Sequence, residues 1–143
     1  MALQLPIEKD EKLLQGYGRA IALSTAAEYL LGEFVRLDGG LFQANQEIVN
    51  KLLDKKTFGV VADLADLLIE DKKIVAEINK VVKERNLLAH AISVQSIDGE
   101  LSLLGGKTGN KPLTVEYLSQ VAEDARNVIH QIIKLIQKKH KLV

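Results

Sequence analysis

The chain has 143 residues, with 19 Lys+Arg against 19 Asp+Glu and no cysteine. That length suits one domain, residues 1–143, whose core needs no metal or disulfide to hold it. Balanced charge leaves no overall basic field for gripping many phosphates at once, so any RNA contact must be local, and the missing thiol removes cysteine nucleophiles and cysteine metal sites.

Apolar residues make up 47% and aromatics 4%, with prolines only at Pro6 and Pro112, the vocabulary of packed helices. The opening MALQLPIEKDEK has no basic region followed by a long apolar segment. No stretch approaches the ~20 apolar residues of a membrane span. A cytoplasmic, soluble protein with no membrane contact is therefore expected.

Residues from about Glu8 to Arg36 predict a long first helix, with Leu13, Tyr17, Ala20, Ile21, Ser24, Ala27, Glu28, Leu31 and Val35 on one side and Asp38-Gly39-Gly40 as its stop. Phe42, Asn45, Ile48, Val49, Leu52 and Leu53 predict a second helix. Val60, Val61, Leu64, Leu67 and Leu68 predict a shorter third one capped by Thr57. A fourth begins after Asp71, and on it Ile74, Ile78, Val81, Arg85, Leu88 and Ile92 follow alternating steps of four and three, a seam that faces neighbouring helices.

From Ser93 to Leu104 the helical period fades, and Asp98-Gly99 between short apolar runs signals a hairpin. Gly105 to Pro112 reads as a loop, after which Thr114 caps a last helix with the stripe Leu118, Val121, Ala122, Ala125, Ile129, Ile132, Ile133 and Ile136. Lys134, Lys138 and Lys139 suit the negative pole of that helix. The predicted fold is all-α, a four- to five-helix up-and-down bundle with a short hairpin or irregular excursion before the last helix.

Two charges interrupt apolar faces. Arg85 sits in the middle of the fourth helix's stripe, and its neighbours three and four positions away are Val81, Val82, Leu88 and Ala89, so no carboxylate of its own helix neutralises it. Glu28 lies in the first helix's stripe among Ser24, Thr25, Leu31 and Gly32. Burying either charge alone costs several kcal/mol, so the two are expected to meet across packed helices, a pairing that serves either a site or helix register alone. His90 lies about 140° around the helix from Arg85, whereas Asn86 is ~40° from His90. Convergence of all three requires a bent arginine, an early helix end, or an edge shared with a second chain.

The string Arg85-Asn86-Leu87-Leu88-Ala89-His90 resembles the R-x(4–6)-H motif of the HEPN superfamily, helical-bundle proteins that include metal-independent ribonucleases of toxin and defence systems. Asn86 matches the polar residue that members often carry after the arginine, and KTFGVVADLADLL before the motif-bearing helix looks like the family layout. The resemblance covers six positions in motif and, in architecture, the chain from Glu28 onward. It implies RNA as substrate, a homodimer, and an antitoxin or a nucleotidyltransferase as partner protein. Ile92 stands where members modified by a partner nucleotidyltransferase have a tyrosine, a departure from that variant.

The implied chemistry is attack of an RNA 2′-hydroxyl on the adjacent phosphate. His90 moves a proton near neutral pH, Arg85 grips the phosphate and steadies charge growing on its oxygens, and Asn86 orients substrate or imidazole. Two proton-handling groups are wanted, and a two-fold dimer supplies two histidines. Lys107 and Lys111 are weaker candidates for reaching a phosphate. No cofactor or metal is expected. Gly106-Lys107-Thr108 lacks the phosphate-loop glycine, since residue 101 is Leu101, and Leu87, Asn127 and Gln137 stand three before the histidines where a di-metal bundle needs glutamates. The alternatives are a non-catalytic HEPN-like module that binds RNA, a nucleotide or a protein, and a helical assembly protein.

Overall fold

The computed structural model describes the backbone of residues 11–41, 57–90, 92–95, 101–105 and 109–140, and the side chains of 11–38, 57–89 and 112–138. Among them are four helices, α1 (Glu11–Leu41), α2 (Phe58–Leu68), α3 (Lys72–His90) and α4 (Val115–His140), and three strands, β1 (Ile92–Gln95), β2 (Leu101–Gly105) and β3 (Gly109–Pro112). The second helix predicted over Phe42 to Leu53 lies outside the described residues, as do Asp98-Gly99 and Lys107.

The helices form the expected bundle. Contacts pair Tyr17 with Leu88 and Glu28 with Arg85, so α1 and α3 run antiparallel. Lys80 meets Asp124 and Glu77 meets Gln131, which sets α3 antiparallel to α4 as well. The short turn from Ile69 to Asp71 brings α2 back along α3. Helix α3 therefore runs against all three others.

Two apolar clusters fill the bundle. The larger joins Ala27, Leu31 and Phe34 of α1, Phe58, Val61 and Ala65 of α2, Ile78 and Val81 of α3, and Val128 and Ile132 of α4. The smaller joins Leu13 and Ala20 of α1 to Leu87 and Leu88 of α3 and to Leu113, Leu118 and Val121. Gly16 permits this close approach, because a Cβ there would stand 3.3 Å from the Leu118 Cδ1. Each fully buried leucine or phenylalanine is worth about 1.5–3 kcal/mol relative to an exposed one.

Some stripes differ from expectation. Helix α1 continues through Gly39-Gly40 to Leu41, with Asp38 buried rather than ending the helix. On α2 the buried residues are Phe58, Val61, Ala62 and Ala65, while Leu67 is 82% exposed. That face is shifted because α2 is covered on two sides, by α1 and by α3. Thr57 occupies the N-cap position of α2, but its side chain makes no capping hydrogen bond. On α4, Val128 is buried and Ile133 is half-exposed.

Ile92 does not continue the α3 seam but begins β1. Strand β1 pairs antiparallel with β2, with Ile92 opposite Leu104 and Gln95 opposite Leu101. Part of the Gly105 to Pro112 stretch is strand rather than loop, because Gly109–Pro112 pairs with Ser102–Gly105 as the third strand. The hairpin is thus a three-stranded antiparallel sheet in the order β1-β2-β3, with β2 against α3. Thr114 then caps α4, its hydroxyl oxygen accepting the Tyr117 N–H at 3.0 Å. No described helix is long and apolar enough to cross a membrane.

Candidate functional site

Helix α3 is fixed at both ends. At its start the Asp71 carboxylate accepts the Lys73 N–H at 3.0 Å, and the Lys72 ammonium donates to Asp66 Oδ1 at 2.8 Å and to the Ile69 carbonyl at 3.1 Å. At its far end Leu87 and Leu88 are buried in the smaller cluster. The Leu88 carbonyl belongs to the last turn, where its helical partner would be the Ile92 N–H, and Ile92 is already in β1. The Tyr17 hydroxyl donates to that carbonyl instead. Burial pushes the Tyr17 phenol above its ordinary pKa, which keeps it protonated and able to donate at neutral pH.

The structure brings Arg85 to Glu28. The Arg85 Nη2 lies 3.5 Å from Glu28 Oε2, with the two side chains 26% and 27% exposed. Arg85 Nε is buried without a hydrogen-bond partner among the described residues. The guanidinium is held on the α1 side of α3 by one carboxylate, at a boundary between core and solvent.

Asn86 is half-buried and Ala89 exposed, and His90 is the last residue of α3. The side chains of His90 and Lys111 lie outside the described residues, with Lys111 in β3 opposite Leu103. Helical register sets position 90 about 140° from Arg85 and within ~40° of Asn86. One chain therefore carries Arg85 on the α1-facing side of α3 and Asn86 on another.

The side that carries Asn86 also carries Asn79 and Lys83, since positions 79, 83, 86 and 90 follow steps of four, three and four. Asn79 and Lys83 line one wall of an open cleft, whose other lining residues include Thr57, Gly59, Val60 and Asp63 of the α2 start. The polar spacing Asn79, Lys83, Asn86, His90 is visible in the chain, but only the fold places Asn79 and Lys83 at a cleft. In the chain Tyr17 reads only as part of the α1 stripe. Nothing in the sequence marks a hydroxyl that reaches a carbonyl 71 positions away.

A separate polar seam joins α3 to α4. Asp124 takes the Lys80 ammonium at 3.2 Å and the Gln120 amide at 2.8 Å, and Gln131 donates to Glu77. The hydrogen bond to Asp124, then its charge, raises the Lys80 pKa; burial, then the Glu84 and Asp124 carboxylates, raises that of Tyr117. Among the described residues no group of three or more His, Cys, Asp or Glu is placed to hold a metal ion. His130 is exposed on α4. Comparisons with protein-family models, with curated proteins and with solved structures found no match.

Proposed function

We propose that the chain is a metal-independent endoribonuclease of the HEPN type, acting on RNA in the cytoplasm as a homodimer. The observation that carries this reading is the C-terminal end of α3. There an arginine in an apolar seam, about a quarter exposed at its edge, shares one turn with a half-buried asparagine, on a helix that ends at the histidine. A stability-driven sequence puts an aliphatic residue at position 85, and a local rule broken in one place points to function.

In the reaction, the 2′-oxygen bonds to phosphorus as the 5′-oxygen departs, leaving a cyclic phosphate. One His90 accepts the 2′-proton, and its symmetry mate donates a proton to the leaving oxygen. Arg85 holds the phosphate oxygens through its planar fork, exchanging Glu28 for substrate. Asn86 orients the imidazole or the scissile nucleotide. The ~140° between Arg85 and His90 on one helix is the reason for the dimer, in which Arg85 of one chain works with His90 of the other. The outward face of α1 beside Glu28 suits a second copy, since Leu14, Gly18, Ala22, Thr25 and Tyr29 are all exposed and uncharged. We read the protein as the toxic or defensive half of a two-component system, with an antitoxin or a nucleotidyltransferase as its partner.

The test is incubation of wild type and His90→Ala with mixed RNA, with and without EDTA. Cleavage that survives chelation, ends in cyclic phosphate and disappears in the variant supports the reading. Equal behaviour of the two proteins removes it. RNA binding without turnover would favour the second reading, a non-catalytic HEPN-like module.

A further inference from the structure

We infer that the cleft between the start of α2 and the outer side of α3 is where the RNA strand runs as it approaches the proposed cleavage site, with Lys83 as its phosphate contact and Asn79 as a supporting donor. The inference rests on the ribonuclease reading and extends it to residues outside the motif. Three observations carry it. Lys83 and Asn79 line the cleft, and both are exposed. They share a side of α3 with Asn86 and position 90, so a strand leaving the cleft along that side runs toward the motif; seven residues from Lys83 to His90 span about 10.5 Å of helix. Finally, Lys80 and Arg85 on this part of α3 are each held by a carboxylate, Asp124 at 3.2 Å and Glu28 at 3.5 Å, whereas Lys83 forms no ion pair with a described residue.

The remaining lining groups decide what the cleft accepts. The Thr57 side chain is not spent on capping α2 and the Gly59 backbone is close by, so both can approach a sugar-phosphate chain. Asp63 on the same lining opposes a phosphate, which holds the contact to one ion pair and the affinity to a modest level. A single cation with neutral donors fits a single strand passing through, held at one phosphate, better than a duplex gripped at many.

The experiment is fluorescence anisotropy with a short labelled RNA whose 2′-hydroxyls are methylated, so that it cannot be cleaved by internal attack. It is run on wild type, Lys83→Glu, Asp63→Asn and Lys134→Glu over a range of salt. Lys134 is exposed on α4 and controls for the charge change alone. We expect Lys83→Glu to weaken binding about tenfold and to lower the salt slope by about 0.7, the value of one phosphate contact on a single strand. Asp63→Asn should bind more tightly and Lys134→Glu like wild type. If wild type binds and Lys83→Glu binds equally, or Lys134→Glu is as weak as Lys83→Glu, the cleft is not the path. If wild type binds no RNA at all, the ribonuclease reading falls first and this inference with it.

Discussion

Replacing both Glu28 and Arg85 by leucine separates what the pair does for the bundle from what it does for a substrate. At 3.5 Å two unit charges attract by about 1.2 kcal/mol in water and about 4.7 kcal/mol at an effective dielectric of about 20. With both side chains about a quarter exposed, desolvation offsets most of the larger figure, and the net coupling is about 1 kcal/mol. Arg85→Leu alone leaves a half-buried carboxylate facing leucine and should cost about 2 kcal/mol. With a urea slope of about 1–3 kcal/mol/M, that moves the midpoint by roughly 1 M. The double variant has leucine on both sides of an apolar seam and should stand within about 1 kcal/mol of wild type, or above it. Urea unfolding followed by circular dichroism measures wild type, both single leucine variants and the double variant. A double variant more than about 2 kcal/mol below wild type would mean that the pair holds the bundle, and the argument that Arg85 was placed there for function would lose its footing.

Tyr17→Phe leaves the Leu88 carbonyl without its donor and should cost about 1–2 kcal/mol, with faster amide exchange in the last turn of α3; unchanged exchange there would refute the anchoring role. Gly18→Ala meets nothing within 4 Å and should gain about 0.5–1 kcal/mol from helix propensity, whereas Gly16→Ala, 3.3 Å from Leu118, should gain less or lose stability in the same melts. Tyr17, Tyr117 and Lys80 all have pKa values raised in the folded state, the tyrosines chiefly by burial and Lys80 by Asp124. The stability they contribute is complete below about pH 10, near their unfolded values, and is lost as pH rises through the folded ones. Stability should therefore fall above about pH 10, less steeply in Tyr117→Phe; an equal slope in that variant would contradict the assignment.

The bundle is legible in the chain because helical spacing is a property of single segments. Leu13, Ala20, Ala27 and Leu31 of α1 and Leu118, Val121, Ala125 and Ile132 of α4 are buried where a period of 3.6 puts them. Boundaries are less legible. Gly39-Gly40 lies inside α1, since the tertiary packing of Phe34, Val35 and Asp38 outweighs about 1 kcal/mol per glycine of lost propensity. Gly109–Pro112 has little strand propensity of its own and becomes a strand through pairing with β2.

The candidate site divides in the same way. Arg85 and Glu28 were readable as two charges without local partners, and their contact across α1 and α3 follows from the cost of burying either alone. Lys83, Asn79 and Asp63 share a cleft only because α2 folds back along α3, a tertiary relation with no trace in either segment. The Tyr17 hydroxyl is hidden likewise, since tyrosine in an apolar stripe reads as packing until its partner carbonyl is known.

The proposed cleavage of RNA at the end of α3 is read by the single-turnover rate on one defined RNA for wild type, Arg85→Ala and His90→Ala. A drop of about 100-fold or more is expected in each variant, with cyclic phosphate as the wild-type product end. Equal rates in all three proteins, or no cleavage by wild type above buffer, would contradict it.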